Sequence, residues 1–148
     1  MDRLAVFLAT GGGVGLVPGA PGTFGSLLAL PLLVALARHG WPPAVQIALV
    51  GLAVAAAVPV CGRAGRVLGA HDSPLIVLDE VCGMLVAGLL LPTDWWTLAL
   101  VFAAFRGFDV LKPFPAGAID RRLMSGVGVV GDDVVAGIYA HLVVRMLS

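Results

Sequence analysis

Ser73-Pro74-Leu75-Ile76-Val77-Leu78-Asp79-Glu80-Val81-Cys82-Gly83-Met84-Leu85-Val86-Ala87-Gly88-Leu89-Leu90-Leu91-Pro92 is an apolar run broken by one adjacent pair of acids. Serine followed by proline predicts a helix start, a capping hydroxyl and then a residue with its φ preset and no N–H to lose. The predicted helix C runs from Pro74 to Leu91, about 27 Å at ~1.5 Å per residue. Asp79 and Glu80 then fall about one and a half turns in. Adjacent helical residues point about 100° apart, so the two cannot both face lipid and are expected to flank an interior groove. A second pair, Asp132-Asp133, opens the apolar run 134–147. The chain has nine acidic residues, and these two pairs hold four of them. Carboxylates at membrane depth are costly and are usually retained to bind an ion, a proton or a substrate.

Composition sets the environment. Mean hydropathy is +1.03, and only 12% of the 148 residues are charged, about half the share in soluble domains. One small core cannot bury that much apolar surface, so the surplus is expected to face lipid. Nine basic residues balance nine acidic ones, which gives no field to attract nucleic acid. Cys61 and Cys82 sit in apolar surroundings and read as small buried hydrophobes. The N-terminus lacks the basic region and cleavage pattern of a removable signal peptide. Without repeats or a long linker, residues 1–148 read as one domain.

Glycine and proline punctuate the rest. The apolar segment Leu4–Ala9 leads into a glycine- and proline-rich stretch ending at Ser26. Helix A is predicted over Ser26–Ala37, with Thr23 or Ser26 near its start as a cap. Helix B is predicted over Ala44–Cys61, kinked if it continues past Pro59, then a polar loop to Asp72. Helix D is predicted over Asp94–Leu111 with Thr93 as a cap, then a short piece Ala118–Leu123 and a glycine-rich turn, Gly126–Gly131. Helix E is predicted over Asp132–Leu147. The fold class is therefore all-α, a compact membrane bundle with about five main apolar helices joined by Gly/Pro-rich polar loops. Several of these runs are short for ~30 Å of hydrocarbon, which keeps a soluble helical bundle open as an alternative. If A–B and C–D are hairpins, seven basic residues (Arg3, Arg63, Arg66, Arg106, Lys112, Arg121, Arg122) share one side, and only Arg38 and Arg145 the other. The positive-inside rule makes that basic side cytoplasmic. Trp41, Trp95 and Trp96 fall at the opposite turns, as interfacial anchors would.

The polar groups therefore gather at one face. Asp79, Glu80, Asp132 and Asp133 would supply four hard oxygen ligands suited to Mg²⁺ or Mn²⁺. The plainer alternatives are ion pairs with Arg106 or Lys112 and, at Asp132-Asp133, a helix cap. Arg106 and Asp109 share a face at the end of helix D, with Lys112 beyond. An arginine fork and a lysine point charge suit phosphate, and lysine snorkelling to lipid headgroups competes with that reading. Pro21-Gly22-Thr23-Phe24-Gly25-Ser26 reads as a loop entering a helix, with free N–H groups and the Thr23 and Ser26 hydroxyls for an anion. His71-Asp72 is a candidate acid/base pair, or simply a solvated loop. Cys61 and Arg66 are one residue too close for a Cys-x5-Arg phosphatase loop, and neither an Asp-x-Asp nucleophile nor a Gly-x-Ser-x-Gly elbow is present.

Six stretches together resemble the phosphatidylglycerophosphatase A family. They are Ala20–Leu27, His71-Asp72, Ile76–Gly83, Phe105–Pro113, Asp120-Arg121 and Gly126–Gly137, in the family's order and across nearly the whole chain. Ser125 and Val130 depart from its pattern, where glycine and methionine are usual. The resemblance implies a Mg²⁺-dependent phosphatase that removes the terminal phosphate of phosphatidylglycerophosphate to give phosphatidylglycerol, in the bacterial cytoplasmic membrane, multi-pass, with its site facing the cytoplasm. It implies metal ligation by Asp79, Glu80, Asp132 and Asp133. The catalytic candidates are Asp79, Asp109, Asp133 and His71, and the substrate-binding candidates Thr23, Ser26, Arg106 and Lys112. The rival reading is a non-enzymatic membrane ion-binding or transport subunit built on the same carboxylates. Transport needs polar groups along a path through the bilayer, whereas helices A and B carry no ionisable residue within residues 26–37 or 44–61. A homo-oligomer is compatible with the sequence, which sets no oligomeric state.

Overall fold

The computed structural model describes residues 2–70, 73–123 and 125–147, with side chains for all of these except 120–122. Among them the chain forms α1 (Asp2–Ala9), a 3-10 turn (Val14–Leu16), α2 (Pro21–Arg38), α3 (Pro43–Leu68), α4 (Leu78–Gly88), α5 (Trp95–Leu111), α6 (Ala116–Arg122) and α7 (Gly126–Leu147). The described residues are thus all-helical, as expected. Of these helices α2, α3 and α7 are long and apolar enough to cross a membrane. At ~1.5 Å per residue they reach about 27, 39 and 33 Å.

The helix that decides the fold is shorter than its sequence predicts. Ser73-Pro74 makes a turn instead of a helix start. The Leu75 N–H donates to Ser73 Oγ at 3.4 Å and the Ile76 N–H to the Ser73 carbonyl at 2.9 Å. The Val77 N–H then donates to the Ala9 carbonyl at the end of α1, 2.8 Å away. That tertiary bond holds residues 73–77 out of the helix, and α4 begins only at Leu78. Asp79 and Glu80 therefore stand in its first turn, where the positive end of the helix dipole favours them. At about 16 Å, α4 is a half-length helix. It is enclosed by α7, α2, α3 and α5, so its short backbone is covered by protein.

Three other boundaries also differ. α2 starts at Pro21, five residues before the predicted Ser26, with proline at its first position and no side-chain cap. Neither Thr23 nor Ser26 is the cap. α3 continues through Pro59 and Cys61 to Leu68, ending on Gly69 in the left-handed conformation. α7 starts at Gly126, so the predicted glycine turn 126–131 is helical and Asp132-Asp133 lies inside a helix instead of capping one. At α5 the cap is Asp94, not Thr93. Its carboxylate accepts from the Trp96 and Thr97 N–H groups at 3.1 and 3.0 Å and from the Thr97 hydroxyl at 2.6 Å, and these bonds hold its pKa below the ordinary carboxylate value.

Glycine inside a helix costs about 1 kcal/mol against alanine. Here it permits contact between helices, which in lipid is driven by close packing more than by hydrophobic transfer. A Cβ on Gly137 of α7 would strike the Gly83 carbonyl of α4. One on Gly83 would lie 2.6 Å from the ring of Phe105, a fully buried side chain of α5. The α4–α5–α7 core thus closes around Phe105, Met84, Val101, Ala136 and Ala140. A second apolar cluster joins the end of α1, α3 and the start of α7 through Ala9, Cys61, Ala64 and Val130.

Candidate metal and phosphate site

The first turn of α4, the last turn of α5 and the second turn of α7 meet at one end of the bundle. Carboxylate oxygens of Asp79, Glu80 and Asp133 lie within 4.8 Å of one another. Asp79 and Asp133 are buried, and Asp79 Oδ1 accepts from the Glu80 N–H at 3.1 Å. Glu80 Oε2 is a buried oxygen with no hydrogen-bond partner. Three carboxylates held this close, one of them with a buried oxygen that has no hydrogen-bond partner, fit a divalent cation such as Mg²⁺.

The fourth acid goes elsewhere. Lys112 Nζ donates to Asp132 Oδ2 at 2.6 Å, so Asp132 is turned to a lysine while its neighbour joins the trio. Adjacent helical residues diverge by about 100°, and that divergence splits the pair between two tasks. The expected four-carboxylate set is, in the structure, a cluster of three beside a Lys112–Asp132 ion pair.

Arg106 donates from one guanidinium nitrogen to Asp109 Oδ2, one helical turn on. Both side chains are largely buried, 23% and 13% exposed. Arg106 and Glu80 both border the backbone of Gly22, where a Cβ would meet Glu80 Oε1 and an Arg106 guanidinium nitrogen, which sets the Arg106–Asp109 pair beside the trio. Lys112 takes a left-handed φ of 43° as the C-cap of α5. Pro113 follows and prevents the helix from continuing.

The start of α2 covers the site. A Cβ on Gly22 would strike Glu80 Oε1 and lie 3.3 Å from an Arg106 guanidinium nitrogen. A side chain here would have to push the Glu80 carboxylate aside, so Gly22, predicted as part of an anion loop over 21–26, borders the site by close packing instead. The signal for that packing is the proline at position 21, which marks a first helical turn and makes Gly22 part of a helix instead of a loop. The expectation of free backbone donors in this segment gives way: the Thr23 and Phe24 N–H groups donate to the Ala20 carbonyl at 3.1 and 3.3 Å. Ser26 is fully buried, and its hydroxyl donates to the Gly22 carbonyl at 2.8 Å. Thr23 lies in the same turn, half-buried. His71 and Asp72, like the side chains of Asp120 and Arg121, lie outside the described residues.

The Phe114–Pro115 peptide leading away from this site is cis.

Comparison with known proteins identifies the family. The family model of phosphatidylglycerophosphatase A matches residues 7–148. Phosphatidylglycerophosphatase A of Escherichia coli is 38% identical over 88% of this chain and 76% of its own length. That of Haemophilus influenzae is 39% identical over 93% of this chain and 84% of its own length. A Bacteroides thetaiotaomicron protein with a provisional phosphatidylinositol-3-phosphatase name is 34% identical over 97% and 92%. No solved structure matches. With the match spanning nearly all of its length, the chain belongs to the phosphatidylglycerophosphatase A family.

Proposed function

We propose that this membrane protein hydrolyses the terminal phosphate of phosphatidylglycerophosphate, giving phosphatidylglycerol and inorganic phosphate, with Mg²⁺ held by Asp79, Glu80 and Asp133. The observation that carries the reading is the convergence of a buried carboxylate trio and two cationic side chains at one end of a bundle from this family. A cation in the trio supplies Lewis-acid polarisation of a phosphoryl oxygen. The chain's own residues do the rest.

A dianionic phosphomonoester would be repelled by carboxylates alone, so Arg106 and Lys112 neutralise charge on the phosphoryl oxygens. Asp109 orients the Arg106 guanidinium, leaving other N–H donors of its fork for the phosphate. Asp132 holds Lys112 at the edge of the site. Thr23 is the hydroxyl on the covering turn assigned to the substrate. The expected substrate role of Ser26 becomes one of position, because its O–H fixes the turn that carries Gly22. In the reaction the bond from phosphorus to the glycerol oxygen breaks and one to an oxygen derived from water forms. Water's proton passes to a basic group, with Asp109 or His71 assigned that task, and the departing glycerol oxygen is protonated. The basic ends of the helices face the cytoplasm, where seven of the nine basic residues fall.

The test is phosphate release from detergent-solubilised protein. Phosphatidylglycerophosphate and phosphatidic acid are compared as substrates, with Mg²⁺ and with a chelator. Faster, Mg²⁺-dependent release from phosphatidylglycerophosphate is expected. Equal rates on both lipids would overturn the assigned substrate, and full activity in chelator would overturn the role of the metal.

A further inference from the structure

An apolar groove of about 380 Å³ runs along the outside of α5 and α7, lined by Phe108, Pro113, Phe114, Tyr139, Val143 and Met146. Its upper rim is continuous with the polar site along the chain. Phe108 precedes Asp109, and Pro113 and Phe114 follow Lys112, whose Nζ is 2.6 Å from Asp132. The direction of the groove follows from two contacts. Lys112 meets Asp132, while Phe108, one turn back on α5, meets Tyr139, two turns on along α7, with ring centroids 5.7 Å apart. The two helices are therefore antiparallel, and the groove descends from the charged end. Tyr139, Val143 and Met146 are spaced by four and then three residues, forming one stripe on α7. Asp132 to Met146 spans about 21 Å, from the charged site into the apolar body of the bundle.

One wall is fixed: the Tyr139 hydroxyl donates to the Phe114 carbonyl at 2.9 Å. The groove is open to the outside at both ends, with Phe114 at the upper rim 83% and Met146 at the lower end 84% exposed. A polar head at the top and an apolar slot below match the two ends of a phospholipid. Resting on the phosphatase reading, we infer that this groove seats an acyl chain of the very lipid whose phosphate enters the carboxylate site. It thereby makes Phe114, Tyr139 and Val143 determinants of affinity for long-chain substrate. Bulk lipid filling any gap would show no link between this slot and the charged rim.

Two measurements test the proposal. In the first, wild type, Val143→Trp (which fills the slot) and Phe114→Ala (which removes an exposed wall) are assayed in detergent. The substrates are phosphatidylglycerophosphate with palmitoyl and with hexanoyl chains. Val143→Trp is expected to raise KM for the palmitoyl lipid by about tenfold, the scale of a lost hydrophobic pocket contact, with kcat and the hexanoyl kcat/KM unchanged. Phe114→Ala is expected to act in the same direction. Equal losses on both lipids, or no loss in either variant, would overturn the groove. The second readout needs no turnover. A phosphomonoester lipid with a photoreactive acyl chain is expected to label residues 108–114 and 139–146 in excess over phosphatidylcholine with the same chain. Equal labelling would mean bulk lipid and overturn the inference. Inactive wild type with selective labelling would instead overturn the phosphatase reading while supporting the groove.

Discussion

Lys112 Nζ sits 2.6 Å from Asp132 Oδ2, so the two acids of one adjacent pair serve different partners. Asp133 faces Asp79 and Glu80, and Asp132 holds the lysine that ends α5. Asp133→Asn should therefore abolish Mg²⁺-dependent phosphate release. Asp132→Asn should instead loosen Lys112 and cost roughly 10- to 150-fold in kcat/KM, the value of one charge-assisted hydrogen bond at about 1.5–3 kcal/mol. Full-length, membrane-extracted variants assayed at saturating Mg²⁺ separate the two. Equal loss in both would return Asp132 to the metal set.

Gly22 provides a steric test. Gly22→Ala puts a methyl group against Glu80 Oε1 and close to Arg106, so it should push the Glu80 carboxylate out of the trio and lower activity. Gly51 in α3 is the matched control, because a Cβ there meets nothing within 4 Å. Gly51→Ala should keep full activity and gain up to about 1 kcal/mol in helix stability. Melting temperatures and phosphate release on the same samples give both answers. A fully active Gly22→Ala would show that α2 does not press on the site.

The sequence made the chemistry more legible than the boundaries. Asp79, Glu80, Asp133, Arg106 and Asp109 stood out because charge is rare in so apolar a chain, and the structure brings all five together. The split between Asp132 and Asp133 was hidden, because it depends on where α7 starts. Glycines at 126, 128 and 131 have poor intrinsic helix propensity and read as a turn. They are helical because of tight packing, with Gly126 against the Val58 carbonyl and Gly128 against the Leu123 carbonyl. Ser73-Pro74 misled in the opposite sense. A strong local start signal was overridden by a bond from Val77 to Ala9, 68 residues away in sequence. Local rules failed where a distant backbone group occupied the space or the hydrogen bond.

Cation binding can be read without turnover. A ligand that binds only the folded protein stabilises it by RT ln(1 + [L]/Kd), about 2.7 kcal/mol at a hundred times Kd. Mg²⁺ or Mn²⁺ should therefore raise the melting temperature of the wild-type protein in detergent. Asp79→Asn and Asp133→Asn should abolish that rise, while Lys112→Met, outside the trio, should keep it. An unchanged rise in both asparagine variants would place the cation elsewhere.

Arg106 carries the sharpest division between structural and chemical roles. Its guanidinium is bonded to Asp109 and lies against the turn that carries Gly22, so a purely architectural arginine is the competing explanation. The two explanations differ in what lysine can replace. Lysine keeps the charge and can still pair with Asp109, but it lacks the planar fork that would bind Asp109 and a phosphoryl oxygen together. If Arg106 only holds Asp109, Arg106→Lys should restore both stability and rate, and Arg106→Ala should lower both. If the fork meets phosphate, Arg106→Ala should lose roughly 10- to 150-fold in kcat/KM. Arg106→Lys should then recover the melting temperature but only part of the rate. We expect the second pattern. A phosphomonoester among carboxylates needs donors that serve the protein and the ligand at once, and Arg106 is the side chain here with enough of them. Full activity of Arg106→Ala at saturating Mg²⁺ would end its catalytic assignment.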